Sequence, residues 1–287
     1  MNLTFINDEV SQDIDDVIRL CKAYGLRGLE LRSLNNLQVI DQCRAQIEEL
    51  RMKLDDNDIT TACIDTPIFK CDINSDLENQ FTSLNKALEI SERLKCPYIR
   101  IFSFWRRINR NEYIEKTHFL LQKLLVNAKH FPNVTILLEN GKNTMHANGL
   151  ELLEAKSILT DENFQLLWDP GNCIFGGMDQ NPISDGYPLI KDYIRHVHLK
   201  DPKVSKNGEK QYLPIGEGDL DIAMQLTLLK ENNYSGYLSL ETHWRRFRTI
   251  PEVELDYPGG HAFSNGGYEA TSTSVRYLSE LLLKHEL

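Results

Sequence analysis

Hydrophobic and polar positions along the chain switch between two periods, and the switch repeats eight times. Short apolar runs, several alternating in twos, read as strands. The stretches after them, with apolar residues at every third or fourth position, read as helices. The spacing predicts strands over residues 3–6, 28–32, 59–64 and 98–102, then four more runs that end at Glu139, Asp169, His198 and Glu241. It predicts helices over 13–23, 37–54, 77–94, 111–130, 150–159, 188–193, 222–229 and 269–283. Ile14, Val17, Ile18 and Cys21 share one face of the first helix, and Gly25 ends it as a C-cap. Phe119, Leu120, Leu124 and Val126 are among the apolar positions of the fourth.

Alternating β and α elements favour a parallel sheet, and eight units in 287 residues favour a closed barrel. The expected fold class is α/β, a single (β/α)8 TIM barrel forming one domain over residues 1–287. An open doubly wound sheet is the alternative, but no GxGxxG phosphate loop follows an early strand. Barrel strands carry their active-site residues at their C-terminal ends. The connections over 201–218 and 242–267 are long enough to be lids or binding segments.

Two Glu, one Asp and one His at four consecutive strand ends make a mostly hard oxygen donor set. Such a set holds one divalent metal ion, Mn²⁺ first, with Mg²⁺, Co²⁺ or Zn²⁺ as alternatives. Two remaining coordination positions would take a hydroxyl and a carbonyl on adjacent carbons. The ion would polarise the carbonyl and stabilise an enediolate while a carboxylate removes the α-proton. Two carboxylates on opposite faces would give epimerisation. The plainer readings stand beside these. A glutamate at a strand end is often a solvated rim residue. Asp169-Pro-Gly-Asn172 has the composition of a turn. His196 and His198 share a strand face, and a barrel interior accommodates one as a core histidine. Glu30 and Arg32 share a face too and read as an ion pair near the mouth. Glu9, Trp105 and His243 are candidate pocket walls. Arg106, Arg107, Arg245, Arg246 and Arg248 would form an anion clamp if they converged.

A formal net charge of −10 argues against nucleic acid and anionic membranes as partners. No apolar run approaches the ~18 residues of a membrane helix. The N-terminus lacks a basic segment followed by an apolar one, so the expected compartment is the cytoplasm. Six scattered cysteines without a CxxC pair read as buried hydrophobes or free thiols.

Leu137-Leu-Glu139-Asn, Trp168-Asp169-Pro-Gly-Asn172, His196-Val-His198-Leu-Lys200-Asp201 and Leu240-Glu241 resemble the xylose isomerase-like TIM-barrel superfamily. Within it they resemble the sugar phosphate isomerase/epimerase group, which includes ketose 3-epimerases, hydroxypyruvate isomerase and inosose dehydratase. The resemblance covers nearly the whole chain. It implies Glu139, Asp169, His198 and Glu241 as metal ligands, with Glu139 and Glu241 as the proton-transfer pair. His198 rather than His196 matches the second histidine of the family's His-x-His pattern. Asn172, His196, Lys200, Trp105 and Arg245 are the expected substrate-binding residues. Where ketohexose 3-epimerases carry a histidine, a glutamate and an arginine, this chain has Asn172, Met145 and Val204. His198-Leu-Lys200-Asp201 is closer to the inosose dehydratase branch, with a Lys200–Asp201 surface pair as the plainer reading. The implied activity is metal-dependent isomerisation or epimerisation of a sugar or keto-sugar derivative, with a homo-oligomer as an option. An inosose-type dehydratase on the same site is the alternative, ahead of an endonuclease IV-like repair hydrolase or a non-catalytic sugar-binding barrel.

Overall fold

The computed structural model describes residues 1–285, so the last two residues of the expected domain lie outside it. One eight-stranded sheet is built from β1 (Asn2–Phe5), β2 (Gly28–Leu31), β3 (Thr60–Asp65), β4 (Tyr98–Ile101), β5 (Thr135–Glu139), β6 (Phe164–Trp168), β7 (Ile194–Leu199) and β8 (Tyr237–Leu240). The main helices are α1 (Ile14–Tyr24), α2 (Arg44–Asp55), α3 (Glu78–Leu94), α4 (Arg110–Ala128), α5 (Gly149–Ile158), α6 (Pro170–Gly176), α7 (Ile222–Glu231) and α8 (Gly267–Lys284). The chain divides into two compact units. The first holds Met1–Ala62 and the chain from Val197 onward; the second is Cys63–His196. β3 and β7 each contribute residues to both.

In the first unit β1 pairs in parallel with β8, Leu3 opposite Leu238 and Phe5 opposite Leu240. A parallel bridge between Ile6 and Glu30 sets β2 against the end of β1. α1 begins where the Asp13 carboxylate accepts the Asp15 N–H and ends at Gly25, whose φ of 66° suits a residue without Cβ. The helix expected over 37–54 begins only at Arg44. Its first residues are taken by a hairpin pairing Ser33–Leu34 with Leu37–Gln38. Asn35 and Asn36 turn that hairpin with φ of 52° and 63°, a left-handed pair asparagine tolerates. The long connection after β7 carries a second hairpin, Asp201–Val204 against Lys210–Leu213.

In the second unit β4, β5 and β6 pair in parallel, with Ile101 opposite Leu138 and Glu139 opposite Leu167. Cys63, Leu137 and Leu167 form a buried cluster against Tyr98. In α4, Leu120 and Leu124 are buried, but Phe119 and Val126 are 68% and 51% exposed, so two of the four expected apolar positions lie on the outer face. The helix expected over 188–193 is a succession of short turns: a wide one at Pro182–Gly186, an α-helical one at Tyr187–Ile190 and a 3-10 turn at Lys191–Tyr193. All six cysteines are free thiols, as expected. Among the described residues no helix is long and apolar enough to cross a membrane.

Candidate active site

Each unit assembles its own group of buried polar side chains at the C-terminal ends of its strands. In the second unit β5 delivers Glu139, and Asp169 follows β6 directly as the N-cap of α6. The Asp169 Oδ1 accepts the Asn172 N–H at 3.0 Å, so Asp169-Pro-Gly-Asn172 opens a helix and is more than a turn. The Asn140 side chain binds both the N–H and the C=O of Asp169, at 2.8 and 2.7 Å, which ties the ends of β5 and β6 together. Asn172 Nδ2 donates to Glu139 Oε1 at 2.8 Å, and Arg100 Nε lies 3.2 Å from Glu139 Oε2. Arg100 also grips Asp65, with Nη2 2.7 Å from Oδ2. Glu139 and Asp169 are both buried, and each offers a ligand oxygen within 4.8 Å of the other. Trp105 is half-buried and bridges antiparallel to Thr144. His196, at the start of β7, is fully buried.

In the first unit β7 delivers His198 and Lys200 follows it; Glu241 and His243 follow β8. The Glu241 Oε1 meets Arg32 Nη1 at 2.9 Å and His243 Nε2 at 3.4 Å. Its Oε2 pairs with Lys200 Nζ and lies 3.7 Å from His198 Nδ1. His198 Nε2 in turn contacts Glu30 Oε1 at 3.0 Å. That contact orients the ring and turns Nδ1 towards Glu241. Metal-binding histidines are oriented by an outer carboxylate in this way. Burial alone pushes the Glu241 carboxyl up; Lys200, His243 and His198 outweigh it and hold it well below the usual carboxylate range.

The expected Glu30–Arg32 ion pair does not form; the two side chains have separate partners. Arg32, 3% exposed, spans Asp8, Glu9 and Glu241, while Glu30 holds His198. Nor do Lys200 and Asp201 form a surface pair, since both are buried. Asp201 accepts N–H groups of Gly216, Gly218 and Leu220 at 2.8–3.2 Å and so fixes the base of the second hairpin. The arginines do not converge into an anion clamp. Arg106 pairs with Glu151, Arg107 with Asp72, Arg246 with Glu269 and Arg248 with Glu254. Arg245 is buried against Glu9 Oε2 at 3.2 Å and donates to the carbonyls of Trp244 and Phe263. The pattern of the sequence did not single out Asp8, Arg100 or Tyr212. Arg100 had a signal, a charge inside the apolar run Tyr98-Ile-Arg-Ile.

The donor chemistry fits a divalent ion. Within the second unit Glu139 and Asp169 offer two buried carboxylates, and within the first His198 and Glu241 offer a buried imidazole and a carboxylate, donor types that suit such an ion.

Comparison with known proteins agrees on the fold class. A family model described as xylose isomerase-like TIM barrel matches residues 18–265, and the chain belongs to that family. Its fold is the α/β TIM barrel. The inosose dehydratase of Clostridium perfringens is 33% identical over 101 residues, which is 29% of this chain and 32% of that protein. The match therefore spans about a third of the length of the curated relatives. The D-allulose 3-epimerase of Methylomonas sp. superposes with a TM-score of 0.73 at 16% identity, covering 98% of both chains. The IOLI protein, solved with a zinc atom, superposes with a TM-score of 0.73 at 16% identity over 99% of both chains. At such identity these structures establish the fold alone.

Proposed function

We propose that the chain is a divalent-metal-dependent isomerase or epimerase of a sugar or keto-sugar derivative, both units acting as one catalytic domain. Glu139, Asp169, His198 and Glu241 would hold the ion, Mn²⁺ before Mg²⁺, Co²⁺ or Zn²⁺. The ion supplies Lewis-acid polarisation of a substrate carbonyl. The proton work falls to the chain. Glu139 and Glu241 are the acid/base pair, one taking the proton from the carbon beside the carbonyl and the other returning it. Asn172 and Arg100 fix the two oxygens of Glu139; Arg32 and Lys200 fix those of Glu241. Lys200, Asn172, His196 and Trp105 are the proposed substrate contacts, and Arg245 acts through Glu9.

The observation that carries this reading is the state of the two glutamates. Each is buried at a strand end, each has both oxygens engaged by fixed donors, and each stands beside one further metal-type ligand. The stretch shared with inosose dehydratases, on a fold that a D-allulose 3-epimerase also has, is in keeping with a polyhydroxy carbonyl substrate. The test is solvent deuterium exchange into ketoses, keto-glycosides and inososes, followed by mass spectrometry with added Mn²⁺. Gain of deuterium without loss of mass is the expected outcome. Glu139→Gln and Glu241→Gln should each slow it by at least about 10²-fold; an undiminished rate in either variant removes that residue from the pair. The second reading, a dehydratase, is favoured by the 33% identical stretch shared with inosose dehydratases. Loss of water from an inosose would decide for it.

A further inference from the structure

Resting on the metal reading above, we propose that Glu9 and His243 are positioning residues that hold the Glu241 carboxylate in the orientation its ligand role needs. Glu9 sits in a 3-10 turn, Asn7–Glu9, just after β1 and is fully buried. It receives His243 at two points. The imidazole Nδ1–H donates to Glu9 Oε1 at 2.6 Å, and the backbone N–H of His243 donates to Oε2 at 3.1 Å. Arg32 and Arg245 hold the same carboxylate at 3.0 and 3.2 Å. Two aromatic rings meet the imidazole edge-on, Tyr212 with centroids 5.3 Å apart and Phe263 at 5.8 Å. His243 has a φ of 50°, a left-handed conformation that a side chain bearing a Cβ seldom adopts. The surroundings therefore over-determine this ring, and its remaining nitrogen, Nε2, is placed 3.4 Å from Glu241 Oε1. Arg32 Nη1 meets the same oxygen. Oε1 thus lies between Arg32 and the imidazole, while Oε2, paired with Lys200 Nζ, is the oxygen nearer His198 Nδ1. A helper of this kind chooses the carboxylate rotamer and leaves the ligand chemistry to Glu241 itself.

The alternative is that His243 merely fastens Glu9 and the chain after β8. Two substitutions separate the roles. Asn at 243 keeps a short amide near Glu9 but falls short of Glu241. Gln at 243 reaches towards Glu241 and gives up the ring's fit to Glu9. The probe is Co²⁺ alone, titrated into the full-length protein and read by its visible absorption band. If the positioning role holds, His243→Asn weakens Co²⁺ binding about 10–100-fold and alters the band, while His243→Gln stays within about threefold of the parent. Glu9→Gln should shift the band in the direction His243→Asn does. The positioning role is overturned if His243→Asn binds Co²⁺ with the parent's affinity and band, or if Gln is the more damaging change. A parent protein that binds no Co²⁺ overturns the metal reading first and this role with it. A thermal melt of each variant identifies loss of fold. Should His243→Asn fail to fold, the Glu9→Gln spectrum decides: an unaltered band overturns the role.

Discussion

Arg32 shows how one side chain organises the residues around Glu241. Its guanidinium touches Asp8, Glu9 and Glu241 within 3.0 Å, buried from water. Removing it leaves three carboxylates close together in a poor dielectric. Arg32→Met should therefore cost about 3–5 kcal/mol of stability by denaturant titration; a cost under ~1 kcal/mol would mean that the carboxylates are neutral or solvated. The four strand-end residues were legible in the sequence because an apolar run that stops on a charge marks the end of a buried strand. Glu139, Asp169, His198 and Glu241 all stand where that pattern puts them. Their partners were less legible. Asp8 lies in an acidic stretch with no period, and Tyr212 is brought to His243 by a hairpin fold that local spacing does not encode. The arginine pairs depend on contacts with carboxylates up to 45 positions away in sequence, such as Arg106 with Glu151.

Elements were predicted well where one period ran uninterrupted, as in α1 and α3, and less well where turn chemistry broke it. The apolar spacing over 37–54 is helical throughout, yet Asn35-Asn36 diverts its first residues into a hairpin. The hairpin after β7 has its own constraint. A Cβ on Gly218 would come within 2.1 Å of Asp201 Oδ1 and 2.7 Å of the Pro202 carbonyl. Gly218→Ala should displace the Asp201 latch and destabilise the protein by about 1–3 kcal/mol. The latch also bears on the site, since the same hairpin carries Tyr212. A thermal midpoint equal to the parent's would show that the hairpin yields without strain.

For the molecule as a whole, the buried carboxylates decide its response to acid. Burial pushes the Glu9 carboxyl up, but His243, Arg245 and Arg32 outweigh it and hold it well below the usual range. A depressed folded-state value gives stability that is present above the unfolded value, about pH 4, and is lost as pH falls below it. Asp8 runs the other way, because burial raises it in spite of Arg32, and it binds its proton more tightly in the fold. The net expectation for Glu9→Gln is a flatter acid limb in the pH dependence of unfolding. An unchanged limb would assign acid lability to other groups. The central claim is that the four strand-end residues hold one divalent ion. Metal content of the purified protein after reconstitution with Mn²⁺ and gel filtration, measured by mass spectrometry beside a His198→Ala/Asp169→Asn double variant, tests it most directly. The account predicts about one ion per chain in the parent and close to none in the variant, in keeping with the ligand-count dependence of such sites. No retained ion in the parent, or the same content in a folded variant, would contradict it.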